Sequence, residues 1–147
     1  MLKIFIADNT NMDAIFALRA EVFVVEQHVD ATIERDHRDK DATHIVATID
    51  GKVVGCARLF WEDGAHIGRL AVKKEYRYQG VGRAICQYII DLAKERDCHQ
   101  VWLNAQLVSY DFYLKIGFVP VGEVFVEADM EHVKMVGKLH QAMACEW

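Results

Sequence analysis

The sequence predicts an α/β fold built on a mixed sheet, and three stretches carry that expectation. Residues 43–72 read as a meander of three antiparallel strands, Leu70–Val72 lead through a glycine loop into a long amphipathic helix, and two more strands close the chain. A helical crossover between the fourth and fifth strands sets those two parallel, because parallel neighbours need a long connection that returns over the sheet. The remaining pairs should be antiparallel, giving six to seven strands flanked by about four helices.

The elements follow in order. Leu2, Ile4 and Ile6 alternate with Lys3 and Phe5, a first strand ending at Asp8. Thr10 and Asp13 have the spacing of a capping box, with Asp in place of Glu, and open a helix whose apolar face is Ile15, Phe16, Leu18, Val22, Phe23 and Val25. Gln27–Asp41 is rich in charge and poor in large apolar residues, which predicts an exposed loop with one short helix. Within it Arg35, Arg38 and Lys40 interleave with Asp36, Asp39 and Asp41, the pattern of a solvated mixed-charge surface. Asp50-Gly51 is a strong hairpin signal between His44–Ile49 and Val53–Phe60, and Asp63-Gly64 turns the chain into Ala65–Val72. Val81, Ala84, Ile85, Tyr88, Ile89, Leu92 and Ala93 recur at helical spacing. A strand at Gln100–Ala105, a short helix at Ser109–Ile116 and strands at Phe118–Val126 and His132–Leu139 complete the order.

With 147 residues, 52% hydrophobic and 27% charged, the chain is expected to form a single domain over residues 1–140 followed by a tail, 141–147. No apolar run approaches a membrane span, and polar Asp8-Asn9-Thr10-Asn11 follows the short apolar start, so a cytoplasmic protein without membrane contact is expected. Cys56, Cys86, Cys98 and Cys145 are scattered without metal-ligand spacing, so neither a disulfide framework nor a metal site is expected. A formal net charge of −5 without a basic stripe argues against nucleic acid and suits a cationic small substrate.

The order strand, glycine loop, helix is a phosphate-binding arrangement. A helix start presents amides without helical partners at its electropositive end, and Gly80 and Gly82 let an anion approach the backbone. Arg77 and Arg83 bracket the loop. The Gly-Lys-Ser/Thr ending of nucleotide phosphate loops is absent.

Arg77-Tyr78-Gln79-Gly80-Val81-Gly82 resembles motif A of the GNAT superfamily of acyl-CoA N-acyltransferases at every fixed place. Asn104-Ala105-Gln106 followed by Phe112-Tyr113-Leu114-Lys115-Ile116-Gly117-Phe118 resembles its motif B, and Arg19–Gln27 with Asp36–His44 resembles the ElaA/YjcF-like branch. The resemblance implies a mostly antiparallel GNAT-type sheet whose central parallel pair splays around acetyl-CoA. The diphosphate would lie on the amides of Gln79, Gly80, Val81, Gly82, Arg83 and Ala84, the pantetheine arm along Leu70, Ala71 and Val72, and Arg77, Tyr78 and Asn104 would complete the cofactor-binding set.

Acetyl transfer to an amine has chemical requirements that can be matched to residues. A backbone N–H at Leu70–Val72 is the candidate donor to the developing oxyanion, a contact whose loss costs roughly a hundredfold or more in rate. The resemblance puts Tyr113 as general acid for the leaving thiolate, against the alternative of a packed core tyrosine. For the base, Glu26 comes first and His132 second, the latter within Glu131-His132-Val133-Lys134-Met135; His44 and Glu21 follow, and Asn104 would orient substrate or water. The expected function is therefore acetyl-CoA-dependent N-acetylation of a small primary amine by direct attack, with an amino sugar phosphate such as glucosamine 6-phosphate as a candidate acceptor. A non-catalytic acyl-CoA-binding module is the alternative. A homodimer is a further expectation from the superfamily.

Overall fold

The computed structural model describes residues 1–139; the expected tail 141–147, with Cys145, lies outside the described residues. Among the described residues seven strands form a sheet in the order β1-β2-β3-β4-β5-β7-β6, accompanied by four α-helices. The strands are β1 (Leu2–Ile6), β2 (Thr43–Ile49), β3 (Lys52–Phe60), β4 (Ala65–Val72), β5 (Gln100–Gln106), β6 (Val119–Glu127) and β7 (Met130–Lys138); the helices are α1 (Met12–Arg19), α2 (Ala31–Glu34), α3 (Val81–Glu95) and α4 (Tyr110–Ile116). None of these helices is long and apolar enough to cross a membrane. The described residues divide into two compact units, Met1–Phe60 with Gly68–Tyr88, and Trp61–Ile67 with residues 89–139.

In the first unit β2 pairs antiparallel with β1 and β3, and the Asp50-Gly51 turn between β2 and β3 has both residues at positive φ, as a tight two-residue hairpin requires. The entry to α1 differs from the expected Thr10/Asp13 box. Asp8 is the cap: its carboxylate accepts from the Thr10 amide at 2.8 Å, and the Asn11 side chain accepts from the Asp8 amide at 3.0 Å. Asp8 has the extended backbone that a cap needs, whereas Thr10 already lies inside a 3-10 turn, Asn9–Asn11, which precedes α1. Beyond Arg19 the helix widens into a π turn over Ala20–Glu26. Ile15, Leu18, Val22 and Phe23 from this helical run pack with Val46, Cys56 and Ala71 to form a core cluster.

The segment after the π turn corrects the expectation of a solvated loop. α2 and a 3-10 turn, His37–Asp41, bring Glu34 and Asp39 inside, at 3% and 8% exposure, onto Arg19 at 1%. Arg19 Nε donates to Glu34 Oε2 at 2.7 Å and Nη1 to Asp39 Oδ1 at 2.7 Å, while Nη2 reaches the Glu34 carbonyl at 2.8 Å. Buried charges survive only when paired and hydrogen-bonded, and here the pairing is made in three dimensions.

In the second unit β4 and β5 are parallel, as the crossover demands, with Ala65, His66 and Ile67 opposite Val101, Trp102 and Leu103. Three pairs join these strands of eight and seven residues. β7 then lies antiparallel to β5 over its whole length, Gln100–Gln106, with β6 outside it. At the turn into β4, Gly64 has φ +98°, and a Cβ there would stand 2.3 Å from the Gln100 carbonyl oxygen. Only glycine fits both constraints.

Candidate active site

After β4 the chain makes a 3-10 turn, Lys74–Tyr76, and a short loop before α3 begins at Val81. Tyr78 is fully exposed at positive φ, and Gly80 has φ +84° with open space where a Cβ would point. The Ala84 amide bonds to the Gly80 carbonyl at 3.0 Å, so the amides of Val81, Gly82 and Arg83 precede the helical ladder. Gln79, Gly80 and Arg83 are exposed, which leaves this electropositive helix start facing solvent. The geometry fits a diphosphate: open space beside Gly80, exposed residues around it and amides that precede the helical ladder.

Arg77, expected at the phosphates, is turned back into the protein. Its Nε donates to the Val72 carbonyl at 3.0 Å, and Nη1 and Nη2 grip Glu26 in a fork at 2.9 and 2.6 Å. Lys73 pairs in the same way with Glu21 at 3.2 Å. The π turn thus carries two carboxylates that hold both ends of the connection between β4 and the glycine loop. The hydrogen bond from Arg77, with its charge and that of Lys74, outweighs desolvation and keeps the Glu26 carboxyl below its usual range. A carboxylate stabilised as an anion is a poor proton acceptor, so its pairing displaces Glu26 from first place among the bases.

Leu70, Ala71 and Val72 form the last part of β4, with Ala71 buried in the core cluster and Leu70 and Val72 half-buried. The residue before them, Arg69, has φ +50°, a left-handed conformation inside a strand.

Tyr113, Asn104 and His132 lie in the second unit. Tyr113 on α4 is 8% exposed and sits edge-on to Phe112 and Phe118, with ring centroids at 5.0 and 5.9 Å. Asn104 on β5 stands opposite Lys134 of β7. His132 on β7 is buried and stacks on Phe125; its Nδ1 lies 2.8 Å from the Met130 carbonyl and its Nε2 4.0 Å from Glu127 Oε2. A carbonyl can only accept, so that contact puts the proton on Nδ1 and leaves Nε2 as the basic nitrogen of the neutral ring. His44 in the first unit uses Nε2 to bond the Asp39 carbonyl at 2.8 Å, and Glu21 is occupied by Lys73.

The charge network around Arg19 escaped sequence reasoning. One signal was available: Arg19 falls on the apolar stripe of its helix, four residues after Ile15 and three before Val22, where a charge must find buried partners. The anionic partners, fifteen and twenty positions downstream, carried no such mark.

Comparison with known proteins agrees with this architecture. Residues 6–139 match the family model described as Acetyltransferase (GNAT) domain. The chain is 35% identical over 139 residues to the uncharacterized N-acetyltransferase YjcF of Bacillus subtilis, covering 92% of this chain and 99% of that protein. It is 31% identical over 135 residues to protein ElaA of Escherichia coli, 88% of each chain, and the crystal structure of ElaA superposes with a TM-score of 0.81 over 92% of this chain and 99% of that one. A GNAT acetyltransferase from Elizabethkingia anophelis, solved with acetyl-CoA bound, shares the fold at 15% identity, with a TM-score of 0.67 and coverage of 94% and 98%. The chain belongs to the GNAT acetyltransferase family, in its ElaA/YjcF-like branch, and is an acetyl-CoA-dependent acyltransferase.

Proposed function

We propose that the chain acetylates the primary amine of a small molecule by direct attack on acetyl-CoA. The observation that carries the reading is the solvent-facing start of α3, with Gly80 at φ +84° and open space beside it. Acetyl-CoA, when bound, supplies an acyl group already activated as a thioester. The amides of Gln79–Arg83 hold its diphosphate, the Ala84 amide being spent on the Gly80 carbonyl; the backbone of Leu70–Val72 pairs with the pantetheine arm, and one N–H of that strand donates to the carbonyl oxygen as negative charge develops. Arg77 serves by tying the loop to Glu26 rather than by touching phosphate. Tyr113 gives a proton to the departing thiolate, and His132 Nε2 takes one from the amine, directly or through water; Asn104 orients the acceptor.

Among amines, an amino sugar phosphate such as glucosamine 6-phosphate is the first to test. Arg35, His37 and Lys40 line a pocket of about 620 Å³ together with Phe16, Asp36 and Asp39. Of the three carboxylates that line it, Asp36 is engaged by Arg58 and Asp39 by Arg19, while Asp8 accepts from the Thr10 amide at the entry to α1; the Arg35 guanidinium rests 3.7 Å above the Phe16 ring.

The test is thiol release from acetyl-CoA across an amine panel. Release should depend on amine and fall about a hundredfold in Tyr113→Phe, with CoA affinity unchanged. Gly82→Glu, which puts bulk and negative charge in the first turn of α3, should abolish CoA binding by calorimetry while the circular dichroism spectrum is kept. Full CoA affinity in Gly82→Glu would overturn the binding site. CoA binding without amine-dependent release would favour the non-catalytic module instead.

A further inference from the structure

Arg69 breaks a local rule. A residue with a Cβ at φ +50° is disfavoured, yet this one stands inside β4, directly after a glycine that would adopt the conformation without strain. Strained backbone persists when its surroundings hold it, and here the side chain does so. Arg69 Nε donates to the Glu34 carbonyl at 3.1 Å and lies 3.3 Å from Glu34 Oε2; Nη2 donates to the Ile33 carbonyl at 3.2 Å and lies 3.5 Å from Asp36 Oδ2.

The receiving end is itself anchored. Glu34 is fixed by Arg19 of α1 at 2.7 Å, and Asp36 by Arg58 of β3 at 2.7 Å. Three arginines and three carboxylates (Glu34, Asp36, Asp39) therefore join the first helix, the α2 segment and two strands. Their common outlet is the kink in β4.

A left-handed residue in a strand re-aims the peptides that follow it, as a bulge does. Those peptides are Leu70–Val72. We propose that Arg69 is a positioning residue for acyl transfer: its side chain, latched to residues 33–36, fixes the left-handed turn of β4 that aims the oxyanion-donating amide. The inference rests on the proposed role of that amide, and it explains why an arginine occupies a position where glycine would be relaxed.

Arg69→Gly separates side chain from backbone, because glycine accepts φ +50° without strain and removes only the latch. Two readouts are taken on the full chain, with Arg69→Ala and Arg69→Lys alongside. The first is amide hydrogen exchange at Leu70–Val72, which needs no substrate and should accelerate tenfold or more in Arg69→Gly and Arg69→Ala. The second is steady-state kinetics: kcat should fall tenfold or more in both variants, with KM for acetyl-CoA within threefold of wild type. Arg69→Lys should recover part of kcat, since an ammonium reaches a carbonyl or a carboxylate but cannot span both.

Unchanged exchange in Arg69→Gly and Arg69→Ala overturns the latch. Accelerated exchange with wild-type kcat overturns the positioning role. A wild-type protein that binds acetyl-CoA yet transfers to no amine sinks the acyltransfer reading and the catalytic half of this inference with it, while the exchange result still decides the latch.

Discussion

Replacing Arg19 with methionine leaves Glu34 and Asp39 buried without the guanidinium that neutralises them, and removing one partner of a buried ion pair costs about 3–5 kcal/mol. Arg58 still reaches Asp39 at 3.2 Å and Arg69 still reaches Glu34 at 3.3 Å, so the expected loss at pH 7 lies near the low end, about 3 kcal/mol. The pH dependence gives a sharper test. Burial alone would push the Asp39 carboxyl up, but the hydrogen bond and charge of Arg19, the Asp36 amide and the charge of Arg58 outweigh it and hold the group at about 2. An unfolded aspartate titrates near 3.9, so the native state gains about 2–3 kcal/mol from this carboxylate at neutral pH.

Because the folded value is the lower one, that gain is complete above the unfolded pKa and disappears as pH falls through the folded one. About 1 kcal/mol should be gone by pH 3 and about 2 kcal/mol by pH 2. Arg19→Met lacks the depressed value and loses less on acidification. Urea unfolding of both proteins should therefore give a stability difference of about 3 kcal/mol at pH 7 that narrows by about 1 kcal/mol at pH 3. A difference below about 1 kcal/mol at pH 7 would refute the claim that the network is a buried, mutually dependent set. A gap that stays constant with pH would refute the pairing of Asp39 with Arg19 as its cause.

Other consequences are open to direct measurement. Glu26→Gln should raise KM for acetyl-CoA severalfold by loosening Arg77, cost no more than about 1 kcal/mol of stability because the pair is partly exposed, and leave the acidic limb of the kcat profile in place; loss of that limb would restore Glu26 as the base. Gly64→Ala should lower stability by about 2 kcal/mol or more in thermal or urea unfolding, since its Cβ would meet the Gln100 carbonyl at 2.3 Å in a left-handed turn. Burial pushes the Cys56 and Cys86 thiols up to about 12, so native mass spectrometry after brief alkylation at pH 8 should find both unmodified and both modified after unfolding.

The parts of this protein that were legible in the sequence are those with local physical signatures. Asp50-Gly51 and Asp63-Gly64 marked turns because few residues tolerate positive φ, and each turn was found where it was read. The apolar period from Val81 to Ala93 marked α3, and the parallel pair followed from chain connectivity. Less visible were features made by distant partners. The sequence showed two final strands but not that β7 lies between β5 and β6, which depends on long-range pairing. Arg77 looked like a phosphate ligand because it borders the loop, and only the position of Glu26, fifty-one residues earlier, turns it inward.

Taken alone, the order of residues determined the family, the element order and the open helix start at Gly80, because motif spacing, hydrophobic period and turn chemistry all act over a few neighbouring positions. Tertiary structure alone decided which charges are buried and paired. Arg19, Glu34, Asp36, Asp39, Arg58 and Arg69 are ordinary surface residue types until the fold removes water from them, and once water is gone each can remain charged only beside a partner that the chain brings from elsewhere.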